Sequence, residues 1–147
     1  MMTLEPVRPI SSPPTSGALT LVTGATGFLG SHLVRALVAR GLGPVRAMQS
    51  SAPPAWLSGL GVEVLRGSVT SPEDVARALD GVGRVYHLAG QVSMKPADAH
   101  RMYQIHVDGT RILCRAAAEA GVRRIVMSST SGTIAVSKRA DAGLDES

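Results

Sequence analysis

An open, doubly wound parallel α/β sheet is the fold class this sequence predicts. Three observations predict it. Short apolar runs alternate with stretches of helical periodicity from Ala18 onward. Gly or Pro punctuates most junctions between them. A Gly-rich turn joins the first apolar run to the first helical stretch. At 147 residues, 44% hydrophobic and 18% charged, the chain can bury a core of one domain, or of part of a larger one.

The elements follow in order. Residues 1–17 hold four prolines and read as a flexible leader. Leu19–Thr23 is a buried strand. Phe28–Arg40 places Phe28, Leu29, Leu33, Val34, Leu37 and Val38 on one helical face, and Gly41 stops it. Val45–Met48 is a second strand, and Ser50–Leu60 a Pro-containing link with one helical turn. Val62–Leu65 is a third strand. Ser71-Pro72-Glu73-Asp74 supplies an N-cap, a first-turn proline and two acids, so a helix runs from there to about Leu79. Arg84–Leu88 is a fourth strand, Ala97–Ala120 one long helix, and Arg124–Met127 a fifth strand. The domain core spans 18–132, and 133–147 reads as a loop.

The formal charge of +4 raises the question of nucleic acid. The arginines are scattered, and no aromatic platform accompanies them, so nucleic acid is not expected. No apolar run approaches the roughly 18 residues of a membrane span. A single cysteine, Cys114, excludes an internal disulfide. A cytoplasmic setting follows as the expectation. His32, His87 and His100 show no metal-ligand spacing and read as structural; no metal site is expected.

The sharpest local signal is Thr23-Gly24-Ala25-Thr26-Gly27-Phe28-Leu29-Gly30. Gly24 permits a tight turn. Gly27 lets a pyrophosphate approach the backbone. Gly30 lets the helix pack close to the sheet. The phosphates would sit at the helix N-terminus, near the Phe28 and Leu29 amides, where unpaired N–H groups favour an anion. No Lys-Ser/Thr pair follows the glycines, which excludes a P-loop.

The Thr-Gly-x-x-Gly-x-x-Gly spacing resembles the short-chain dehydrogenase/reductase superfamily. The form GATGFLGSHLV resembles its extended branch of NAD(P)-dependent epimerases, dehydratases and dihydroflavonol-reductase-like enzymes. Val85-Tyr86-His87-Leu88-Ala89-Gly90, Val107-Asp108-Gly109-Thr110 and Arg124-Ile125-Val126-Met127-Ser128-Ser129-Thr130 match further signatures in the family's order. The resemblance implies a Rossmann-like fold, incomplete on its C-terminal side. It implies a dinucleotide held by Gly24, Thr26, Gly27, Phe28, Leu29, Gly30, Ser50, Ser68, Val69, Leu88, Ala89 and Gly90. It places Thr130 in the catalytic Ser/Thr position, with Ser129 beside it. The function implied is the NAD(P)-binding portion of an oxidoreductase or epimerase, transferring hydride at a hydroxyl or carbonyl carbon of a small molecule. Relatives often dimerise through the long helix, so a homodimer is an open expectation.

The sequence also departs from the pattern. Gln49 stands where NAD-type members carry Asp, and Ser50 where many NADP-type members carry Arg. Without a carboxylate a 2′-phosphate is not repelled, and Ser50, Ser51 or Arg46 can contact it, so the balance leans to NADP. Ser68 replaces the Asp that reaches adenine. His106 replaces the Asn that ties the long helix to the strand ends. The family's acid/base pair is a Tyr with a Lys four residues on. Tyr86 has Gly90 there, and Tyr103 has Val107. Lys138 has Ile134 four residues before it. The chain alone is therefore expected to be inactive. A non-catalytic NAD(P)-sensing module and an inactive truncated remnant stay open beside the enzyme portion.

Overall fold

The computed structural model describes residues 17–130. The leader expected over 1–17, Gly17 apart, and the loop expected over 133–147 lie outside the described residues. Five parallel strands form one sheet in the order β3-β2-β1-β4-β5. They are β1 (Leu19–Thr23), β2 (Val45–Gln49), β3 (Glu63–Arg66), β4 (Val82–His87) and β5 (Arg124–Met127). The helices are α1 (Phe28–Ala39), α2 (Ala55–Ser58), α3 (Pro72–Leu79), α4 (Ala99–Tyr103) and α5 (Gly109–Glu119).

The strands bury both faces, as a parallel sheet requires. On one face Leu21, Met48 and Val85 pack with Val75 and Leu79 of α3 and Leu113 and Ala117 of α5. On the other, Val22, Val45 and Ala47 pack with Val34 and Leu37 of α1 and Leu57 of α2. Along α5 the buried positions Gly109, Leu113 and Ala117 recur every four residues, one helical stripe against the sheet. The chain runs outward from β1 to β3, then returns to β4 on the other side of β1. That reversal opens a crevice at the carboxyl ends of β1 and β4.

The local grammar holds in detail at α3. The Ser71 hydroxyl accepts from the Asp74 N–H at 3.2 Å, with Pro72 at the first helical position. The Asp74 carboxylate in turn accepts from the Ser68 N–H at 2.9 Å. That bond, with Arg77 beside it, holds the Asp74 carboxyl below its usual value against a smaller opposing effect of burial.

Two elements differ from expectation. β4 starts at Val82 rather than Arg84, because Val82 pairs with Leu19 across a register shift between Leu19 and Thr20. It ends at His87; the Leu88 N–H still donates to the Thr23 carbonyl, and the Ala89 N–H turns onto the Thr23 hydroxyl. The helix expected over 97–120 opens with a 3₁₀ turn, Pro96–Asp98, and is split by a π-helical segment, Gln104–Asp108. The wider turn lies where Gly109 abuts the Val69 side chain and His106 meets Gly90. π-helical turns of this kind often sit beside functional sites.

Gly30 packs α1 onto the glycine turn. A methyl group there would overlap the Gly24 carbonyl oxygen and lie 2.9 Å from the Ala25 Cα, both backbone atoms. Gly30→Ala should lower unfolding stability by about 1–3 kcal/mol, as overpacking does. A urea-unfolding midpoint equal to wild type would show that α1 does not depend on this close approach.

Candidate functional site

A cleft of roughly 550 Å³ opens at the carboxyl edge of the sheet. Four strand exits build it: Gly24–Gly27 after β1, Met48–Ser51 at β2, Gly67–Thr70 after β3 and Leu88–Gly90 after β4. Arg101, Gln104 and Ile105 of the α4 and π-helical segment close one side. Gly24, Thr26, Gly27, Ser50, Ser68, Val69, Leu88, Ala89 and Gly90, expected from the sequence, all line it. Phe28, Leu29 and Gly30 do not. Phe28 is 86% exposed, its ring 4.9 Å from that of His32. Leu29 is exposed too, while Gly30 serves helix packing as expected. Ser129 and Thr130 are exposed beyond β5, outside the cleft wall.

The three glycines of the turn divide by cause. Gly24 has φ +68°, and a side chain there would meet the Leu88 carbonyl carbon at 2.6 Å. Gly30 is equally constrained. Gly27 is not: it has φ −70°, and an added methyl would meet only the Gly24 oxygen, at 3.4 Å. Packing explains Gly24 and Gly30, and leaves Gly27 to whatever fills the cleft. No side chain caps α1, whose first turn also lacks an acid. Its N-terminal amide groups are thus suited to an anion.

The end of β4 is fixed by one hydroxyl. Thr23 Oγ1 accepts from the N–H groups of Leu88 and Ala89, at 3.3 and 3.2 Å. The same oxygen lies 2.8 Å from His87 Nδ1, and the other imidazole nitrogen, Nε2, lies 3.2 Å from Thr110 Oγ1. One buried ring therefore joins β1, β4 and α5. Burial first, and the nearby His106 second, push the His87 pKa down, which keeps the ring neutral. His106 does tie its helix to the strand exits, with Nε2 2.9 Å from the Gln91 carbonyl oxygen.

Arg46 corrects an expectation. It donates to Glu63 at 2.8 Å and to the carbonyls of Ala78 and Asp80 at 2.9 and 2.7 Å. Strand alternation points it toward α3, so it serves the fold and does not line the cleft. Among the described residues, the one charged side chain in the wall is Arg101. Sequence reasoning did not find Arg101, because only the tertiary path of α4 brings it there. Ser68 spends much of its hydroxyl within its own loop, 2.7 Å from Thr70 Oγ1 and accepting from the Thr70 N–H. Among the described residues no cluster of His, Cys, Asp or Glu could hold a metal, and no helix is long and apolar enough to cross a membrane.

The profile of the NAD dependent epimerase/dehydratase family matches residues 20–146. This chain belongs to that family. Sterol demethylase protein B of Methylococcus capsulatus is 43% identical over 117 residues, which are 80% of this chain and 36% of that protein. Ceramide reductase of Caulobacter vibrioides is 38% identical over 109 residues, 74% of this chain and 33% of the other. A short-chain dehydrogenase/reductase superfamily protein from Agrobacterium tumefaciens, crystallised with bound NAD, superposes with a TM-score of 0.69. It is 40% identical, and the match covers 79% of this chain and 33% of that one. The chain thus spans about a third of the length of these relatives. It corresponds to the NAD(P)-binding portion of the extended short-chain dehydrogenase/reductase type, and its sheet is the Rossmann-like one of that family.

The neutral His87 carries a pH consequence. An unfolded histidine titrates near 6.5, and the folded one titrates lower. As pH falls through about 6.5 the unfolded chain takes up a proton that the folded chain refuses, so stability falls, by at most about 1.4 kcal/mol per pH unit. The loss ends below the folded pKa. Urea midpoints should drop more between pH 7.5 and 5.5 in wild type than in His87→Gln. Parallel profiles would contradict a neutral buried ring.

Proposed function

We propose that residues 18–130 hold a nicotinamide dinucleotide for an oxidoreductase or epimerase that transfers hydride at a hydroxyl or carbonyl carbon. Gly27 is the observation that carries this reading, since the packing of the described residues does not require a glycine there. The pyrophosphate lies against Gly24–Gly27 and the open α1 N-terminus, and the adenosine toward Ser50, Ser68 and Val69. Leu88, Ala89 and Gly90 flank the nicotinamide side. The cofactor supplies or accepts the hydride. Thr130, with Ser129 next in line, orients the substrate oxygen.

Among the described residues no carboxylate lines the cleft, and Arg101 adds positive charge. Both features support acceptance of a 2′-phosphate, with a lean to NADP. An apolar substrate is supported by the β4–α4 loop, where Val92 and Met94 are 94% and 95% exposed just past Gly90. The names of the sterol and ceramide relatives point the same way.

Calorimetric titration of the 147-residue protein with NADPH and NADH should show saturable binding of about one equivalent. Mixing with sterol or ceramide ketones should leave the NADPH absorbance unchanged. Absence of binding would remove the proposal. Rapid NADPH oxidation would contradict the expected inactivity of the chain alone.

A further inference from the structure

Two helical arginines pair with the acid three residues before them. Arg77 lies 2.7 Å from Asp74, and Arg111 lies 2.9 Å from Asp108. Arg101 has the same opportunity in Asp98 and does not take it. Among the described residues its side chain has neither a hydrogen bond nor an ion pair. Asp98 accepts instead from the Ser93 hydroxyl, at 2.5 Å. The Ser93 oxygen in turn accepts from the Lys95 N–H at 3.2 Å, which fixes the β4–α4 loop around it. An exposed pair of opposite charges at this spacing is weakly favourable. The loop therefore spends Asp98 elsewhere and leaves the guanidinium free. It lines the cleft with Gln104 and Ile105, three and four residues on and so on the same helical face.

We propose that Arg101 clamps the cofactor pyrophosphate from the α4 side, and that the Ser93–Asp98 hydrogen bond keeps it free to do so. The inference rests on the dinucleotide reading above and deepens it. The glycine turn meets the pyrophosphate with neutral backbone N–H groups alone. A guanidinium adds charge and a planar fork of donors that matches two phosphate oxygens. NAD and NADP share the pyrophosphate, so Arg101 raises affinity for both and leaves any preference between them to the rest of the wall. Ser93 is a positioning residue. Without its hydroxyl, Asp98 competes with the pyrophosphate for Arg101.

The test is calorimetric binding of NADH and NADPH, separately, to the full 147-residue chain. Arg101→Gln should weaken both about tenfold, the loss of charge-assisted hydrogen bonding at an exposed site. Its urea midpoint without ligand should equal wild type, because the side chain has no partner in the fold. Ser93→Ala should weaken both about two- to threefold, as Asp98 captures part of the Arg101 population. Adding Asp98→Asn to Ser93→Ala should restore wild-type affinity, which a merely structural role for Ser93 would not give. Three results would overturn the proposal while leaving the dinucleotide site intact. They are an Arg101→Gln protein that binds both cofactors as wild type does, a loss confined to NADPH, and a Ser93→Ala loss that Asp98→Asn does not restore. If wild type binds neither cofactor, the dinucleotide reading fails and this inference falls with it.

Discussion

The structure depends on three stretches of backbone meeting with no side chain between them. The β1 exit at Gly24 lies against the β4 exit at Leu88 and Ala89, and the start of α1 at Gly30 lies against Gly24. Any Cβ at Gly24 or Gly30 would push these segments apart. Their closeness sets how the carboxyl ends of β1 and β4 diverge above the meeting point. The crevice is the direct result, and open α/β sheets bind ligands in a crevice of this kind.

Hydrogen bonds then lock what the glycines allow. Thr23 stands one residue before Gly24 and holds the Leu88 and Ala89 amides, which form part of the cleft wall. His87 passes that constraint to Thr110 on α5. The wall is thus braced from β1 and α5 together. Just past His87 the Leu88 amide still reaches the Thr23 carbonyl, while the Ala89 amide is taken by the Thr23 hydroxyl.

Much of this was legible in the sequence. Glycine spacing, apolar alternation and the Ser71-Pro72 cap are local signals with local causes, and they located every strand to within two residues. The π-helical turn at Gln104–Asp108 was not legible, because one extra residue in a turn leaves the apolar pattern of a long helix nearly unchanged. The register shift that starts β4 at Val82 is a tertiary effect of pairing with Leu19. At the site, the glycine turn and the Ser50, Ser68 and Ala89-Gly90 positions could be read from motif order. Arg46 could not be placed, because its distance in sequence from Ala78 and Asp80 hides the carbonyls that claim it. The arrival of Arg101 at the cleft likewise exists only once the chain is folded.

We propose that Gly27, alone among the three turn glycines, answers to a ligand rather than to the fold. The most direct measurement compares Gly27→Val with wild type in two readouts, the urea midpoint and NADPH affinity by calorimetry. The account predicts a midpoint close to wild type together with NADPH affinity reduced at least a hundredfold. Unchanged affinity, or a loss of stability as large as that of Gly30→Ala, would contradict it.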